Sequence, residues 1–136
     1  MTNFMNKLTT IKQKVTIPAS PQEVYDALTD PKKHSEFTGS KATGKPKVGE
    51  KFTAWDAYSS GKYLELEKGK RIVQEWMTTD WPEGYAPSKL ELTFTKTSKG
   101  TELQMVQSNV PEEQKEELAD GWEEYYWKPL KEYFKK

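Results

Sequence analysis

At 136 residues the chain has the length of one domain that buries about two-thirds of the surface its unfolded form exposes. Its 21 lysines and arginines are balanced by 21 aspartates and glutamates, so no net field draws it to nucleic acid or to an anionic membrane. The absence of cysteine removes disulfides, thiolate chemistry and cysteine metal sites, and no apolar run approaches the roughly 18 residues of a membrane span, which implies a cytoplasmic protein.

Residues 1–8 read as a flexible N-terminal end, followed by a single domain over 9–136. "TIKQKVTI" alternates, with Ile11, Val15 and Ile17 on one side and Lys12, Lys14 and Thr16 on the other, which predicts a first strand. "SPQEVYDALTDP" then offers Ser20 as N-cap, Pro21 at the first helical position and Glu23 three residues on, the pattern of a capping box. Asp30-Pro31 ends that helix and starts a second, short one through Phe37.

From Lys51 to Asn109 the period changes to two, punctuated by "YSSGK", "EKGK" and "TSKGT". Five strands are predicted near 51–56, 62–67, 71–78, 89–97 and 101–109. Their connections are too short for parallel crossovers, so they form an antiparallel meander. "TDWPEGYAPS" is its one longer loop.

The last segment, "VPEEQKEELADGWEEYYWKPLKEYFKK", has acids at its start and lysines at its end, as a helix macrodipole favours. Leu118, Trp122, Tyr125, Tyr126, Trp127, Leu130, Tyr133 and Phe134 span an arc of roughly 200°, about twice the usual apolar stripe, so the helix is covered on more than one side. Pro129 removes the hydrogen bond to the Tyr125 carbonyl and predicts a kink. The order β-α-α-β5-α predicts an α+β fold in which a curved antiparallel sheet closes around a long C-terminal helix.

"VGEKFTAWD", "SGKYLELEKGKRIVQEW", "WPEG" before "KLELTFTKTSKGTEL", and "GWEEYYWKPLKEYF" run in one order over about residues 9 to 134. Together they resemble the SRPBCC or START-like superfamily and, within it, the C-terminal domain of the activator of Hsp90 ATPase (Aha1) family. The resemblance implies a helix-grip fold, often with a cavity between sheet and helix. Eukaryotic members carry a separate N-terminal domain, for which this chain has no room, so the resemblance implies a stand-alone C-terminal-like domain.

The residues themselves supply no catalytic set. His34, the only histidine, lies in "KKHSEF" and reads as a solvated helix residue. No spacing proposes a metal site or cofactor, and neither "GYAPSK" nor "SSGK" has P-loop spacing. Trp55, Trp76, Phe94, Met105, Trp122 and Tyr126 would either line an apolar cavity or fill a core. Tyr63 and Glu65 would add a phenol and a carboxylate to that cavity if they, rather than Leu64 and Leu66, face the helix. Trp81 in its loop needs either a local partner or an external one, and Trp81, Tyr85 and Trp127 are the candidates for a protein-facing patch.

Two functions compete. One is a non-catalytic interaction domain that binds an Hsp90-type chaperone and modestly modulates it, as the resemblance implies. The alternative is a binding module for a small apolar ligand in the cavity. An enzyme on this scaffold lacks an identifiable acid-base pair.

Overall fold

The computed structural model describes residues 7–135. The expected flexible end therefore falls outside the described residues except for Lys7 and Leu8, and Leu8 already belongs to the first strand, opposite Pro111. The elements follow the predicted order: β1 (Leu8–Ile17), α1 (Pro21–Thr29), α2 (Pro31–Thr38), β2 (Lys51–Ala54), β3 (Ser59–Glu67), β4 (Arg71–Thr78), β5 (Ser88–Thr97) and β6 (Gly100–Pro111), then a segmented C-terminal helix. The strands form one antiparallel sheet in the order β1-β6-β5-β4-β3-β2. β1 and β2 lie on opposite edges, so α1, α2 and the following loop carry the chain from one side of the sheet to the other.

The capping box forms as written: the Ser20 hydroxyl accepts from the Glu23 amide at 3.2 Å and the Glu23 carboxylate accepts from the Ser20 amide at 2.9 Å. Asp30 caps α2 through the Lys32 amide, and Gly39, at φ 75°, supplies the left-handed residue that ends it. Alternation puts Ile11, Val15 and Ile17 of β1, Leu90, Leu92 and Phe94 of β5, and Leu103 and Met105 of β6 in the core. Gly100, at φ 129°, closes the β5–β6 hairpin where any Cβ would lie 2.3 Å from the Ile17 carbonyl oxygen.

Three places depart from the sequence reading. The strand predicted over 51–56 ends at Ala54, because Trp55, Asp56 and Ala57 take φ of 55°, 58° and 72°. Here the Tyr58 amide donates to the Trp55 carbonyl, closing a turn whose left-handed backbone costs L-residues energy. A bulge between Tyr63 and Glu65 breaks the alternation of β3.

The third departure is in the C-terminal helix, which runs as a 3-10 turn (Glu112–Gln114), α3 (Lys115–Trp122), a π-turn (Glu123–Trp127) and α4 (Lys128–Phe134). The Lys128 amide reaches back five residues to the Glu123 carbonyl, and Pro129 sits in the first turn of α4, where its missing N–H is least costly. The proline thus produces a change of helical winding. At about 100° per residue Trp122 and Trp127 would stand about 140° apart. The wider turn brings them onto one face, where their rings stack with centroids 5.6 Å apart and planes at 19°.

Candidate functional site

The inner face of the sheet is not covered along its whole length. Between the β2–β3 turn, the near ends of β3 and β4, and the gripped helix lies an open cleft of about 490 Å³. Its floor is Trp76, Trp122 and Tyr126, all buried; its mouth is Trp55, Tyr58 and Tyr125, the last two 44% and 56% exposed. Trp55 stands edge-on to Tyr125 and Tyr126 at 72° to each, and Trp76 is tilted 44° to Trp122. The rings therefore wall the cleft at angles to one another instead of stacking into a slab.

A buried chain of polar groups fixes this floor. The Trp122 indole donates to Gln107 Oε1 at 2.8 Å, Gln107 Nε2 donates to Ser88 Oγ at 3.0 Å, and Ser88 Oγ donates to the Trp76 carbonyl at 2.6 Å. Gln107 and Ser88 are fully buried, and each makes bonds that an apolar residue could not. Gln13 on β1 does the same for the other tryptophan: it accepts from the Trp127 indole at 2.7 Å and donates to the Ala119 carbonyl at 3.0 Å. Sequence reasoning missed these glutamines. Their signal is phase, since Gln13 shares the inward phase of Ile11 and Val15, and Gln107 that of Leu103 and Met105.

Beside the floor is a second, smaller cavity of about 40 Å³, lined by His34, Thr29, Tyr63, Gln74 and Tyr126 among others. His34 is buried, not solvated as its charged neighbours suggest, because it lies three residues from Phe37 on the inner face of α2. Its Nε2 is 3.1 Å from the Tyr126 hydroxyl, and burial pushes its pKa down to about 4. The imidazole is thus neutral at pH 7, and its Nδ1 has no hydrogen-bond partner among the described residues. Burial likewise raises the pKa of the Tyr63 and Tyr126 phenols.

The structure gathers Trp55, Trp76, Trp122 and Tyr126 at the cleft and turns Tyr63 into the smaller cavity. The other candidates lie elsewhere. Phe94 is six residues along β5 from Ser88, roughly 20 Å at strand rise, and packs edge-on against Tyr25 of α1 at 6.1 Å. Met105, fully buried, sits mid-strand between Gln13 and Leu92. Glu65 faces away from the helix and pairs with Arg71, which also holds Glu91, because the bulge after Tyr63 places the two residues on opposite faces.

The expected protein-facing patch is likewise not assembled. Trp81 is buried against Trp76 and donates its indole N–H to Ala86 within its own loop at 2.9 Å. Trp127 is 1% exposed, drawn inward by the π-turn. Tyr85 alone keeps a partly exposed position. Among the described residues no group of His, Cys, Asp and Glu is arranged to hold a metal, and no helix is long and apolar enough to cross a membrane.

A curved antiparallel sheet gripping a long terminal helix, with an aromatic cleft left open at one end, defines a helix-grip domain of the SRPBCC kind. The chain belongs to the activator of Hsp90 ATPase homolog 1-like family, whose model matches residues 18–135. It is 34% identical over 124 residues to the human activator of 90 kDa heat shock protein ATPase homolog 1, a match covering 91% of this chain and 36% of the human protein. The homologue from Dictyostelium discoideum is 31% identical over 114 residues, covering 83% of this chain and 30% of that protein. The chain thus spans about a third of the length of these relatives. Among solved structures, an HSP90 activator from Plasmodium falciparum superposes with a TM-score of 0.72 at 25% identity, over 88% of this chain and 89% of that one. A Mesorhizobium loti protein shares the fold with a TM-score of 0.77 at 24% identity, over 92% and 96% of the two chains.

Proposed function

We propose that this domain is a non-catalytic interaction module that binds an Hsp90-type chaperone and modestly changes its rate of ATP hydrolysis. The observation that supports this reading is the family match over residues 18–135, together with relatives whose names describe activators of the 90 kDa heat shock protein ATPase. The site residues favour binding over chemistry, since the cleft is built of aromatic rings and the one histidine does not line it. Titrated by itself, this domain lacks the effective concentration that a tethered second site would supply, so its affinity in that assay is expected to be micromolar or weaker. Tyr85, the surface member of the three aromatics marked in the sequence, is the residue whose loss tests the contact.

Titration of the purified domain into the Hsp90-type protein of its own source, recording binding and ATP turnover together, tests the proposal. Saturable binding with a small change in turnover is the expected result, weakened several-fold by Tyr85→Ala in a variant whose circular dichroism shows it folded. No interaction at several hundred micromolar would overturn it. The open cleft, within the size range of ligand pockets, favours a second reading, in which the domain binds a small and largely apolar molecule between sheet and helix.

A further inference from the structure

The cleft has a chemical polarity that its aromatic content conceals. Among the described residues that line it, Glu117 is the single charged side chain; no lysine, arginine or histidine reaches it. The Tyr58 hydroxyl at its mouth donates to both carboxylate oxygens of Asp80, at 3.0 and 3.2 Å, which tethers a second anion beside the opening. The surrounding sequence has the same sign. Residues 112–124 contain seven carboxylates and only Lys115, although the chain as a whole is neutral. Burial and the charges of Asp80 and Glu117 raise the pKa of the Tyr58 phenol, as expected in a negative local field.

Aromatic rings present negative faces, and rings set at large angles around one space can turn several faces toward a single occupant. Here Trp55 and Tyr125 stand at 72° to each other at the mouth, with Tyr58 also lining it, a carboxylate beside it and apolar indoles below. The indole N–H of Trp122 is already spent on Gln107, so that ring meets an occupant with its apolar surface. An anionic ligand would meet Glu117 unpaired; a neutral one would leave it solvated and gain nothing from it.

We infer that the cleft binds an organic cation, an alkylated ammonium head carried on an apolar body, with the head held among Tyr58, Tyr125, Trp55 and Glu117 and the body on Trp76 and Trp122. This rests on the reading of the cleft as a ligand site and specifies the ligand's charge. The volume of about 490 Å³ exceeds what a small ammonium head fills, which is why an apolar body is part of the inference. A strained turn presents one wall: Trp55, Asp56 and Ala57 all hold positive φ, conformations that persist where the surroundings enforce them.

The test compares benzyltrimethylammonium with its uncharged isostere neopentylbenzene, by titration of the full chain monitored through indole NMR resonances at low ionic strength. The cation is expected to bind about tenfold more tightly than the isostere and to weaken as salt is added. Glu117→Gln should reduce that preference several-fold while leaving the isostere's affinity unchanged. Tyr125→Leu, at a position exposed enough to spare the fold, should do the same by removing a ring face but keeping apolar area. Equal binding of both probes would overturn the inference and leave the apolar-ligand reading standing. Binding of neither would overturn both, and a cation preference untouched by Glu117→Gln and Tyr125→Leu would show that the cation sits elsewhere.

Discussion

The two ends of the gripped face use similar apolar side chains to opposite effect. Under α1, Ile17, Val24, Ala27 and Phe94 are almost wholly removed from water, and Thr101 closes the corner by donating to the Ala19 carbonyl at 2.7 Å. At the other end Trp55, Tyr58 and Tyr125 stand around an open cleft. The difference lies in the covering elements: one end has α1 laid across it, the other only a hairpin turn and the helix. Burial at the first end serves stability. At the second, Gln107 and Gln13 fix the buried indoles of Trp122 and Trp127, and the exposed rings of Tyr58 and Tyr125 stand at the opening, which separates the residues that hold the fold from those available to a ligand.

The largest test of that separation is Trp122, which belongs to the floor of the cleft and to the core at once. Trp122→Ala is expected to destabilise the domain by about 3 to 5 kcal/mol in chemical denaturation, because it removes a buried ring and strands Gln107. A loss under 1 kcal/mol would move Trp122 from the core to the surface side of the comparison.

Next comes His34, whose effect depends on pH. Its folded pKa of about 4 lies below the ordinary 6.5, so the folded state binds fewer protons and stability falls as pH drops from 6.5 towards 4. The full loss is about 3 kcal/mol, by the free energy of a proton per pH unit. His34→Gln keeps a partner for the Tyr126 hydroxyl and does not titrate; its denaturation midpoint should stay flatter than the parent's across that window. Parallel profiles would show that His34 protonates freely in the folded state.

Gln107→Leu is expected to cost about 1 to 3 kcal/mol, since the Trp122 indole then lacks its acceptor in a dry site. A double-mutant cycle with Ser88→Ala should show coupling, because the two side chains share one bond. The smallest effect is a gain. Ala57→Gly, at φ 72°, should stabilise by about 0.5 to 1 kcal/mol, the relief of left-handed backbone less the chain entropy of glycine. If the thermal midpoint falls instead, the alanine methyl is packing against something that the strain argument leaves out.

The sequence carried the parts of this fold that follow from local chemistry. Ser20, Pro21 and Glu23 specify the start of α1 by themselves, and the alternation through Leu90, Leu92 and Phe94 fixes which face of β5 is inside. What local pattern cannot express is an inserted residue. The bulge beside Leu64 turns Glu65 outward, and the π-turn rotates Trp127 into the core, each by shifting a phase that was read as continuous. His34 fails for a different reason: the hydroxyl it meets belongs to Tyr126, 92 residues away. The site was legible to the extent that Trp55, Trp76, Trp122 and Tyr126 converge. Its mouth, Tyr58 and Tyr125, and its charge, Glu117, depend on the turn and helix meeting in space.

The edge position of β1 sets the order in which the domain can be completed. Among the described residues β1 finds its only ladder partner in β6, with Leu8 opposite Pro111, and Gln13 its indole partner 114 residues later. The first strand of this sheet to be made is therefore among the last of its strands to be paired, and contacts this distant in sequence slow folding. During that wait it carries Ile11, Val15 and Ile17 on one face beside an unpaired edge, the kind of segment on which nascent chains adhere to one another. Lys12 and Lys14, set between those residues, give the waiting strand a charged face that discourages adhesion until β6 arrives.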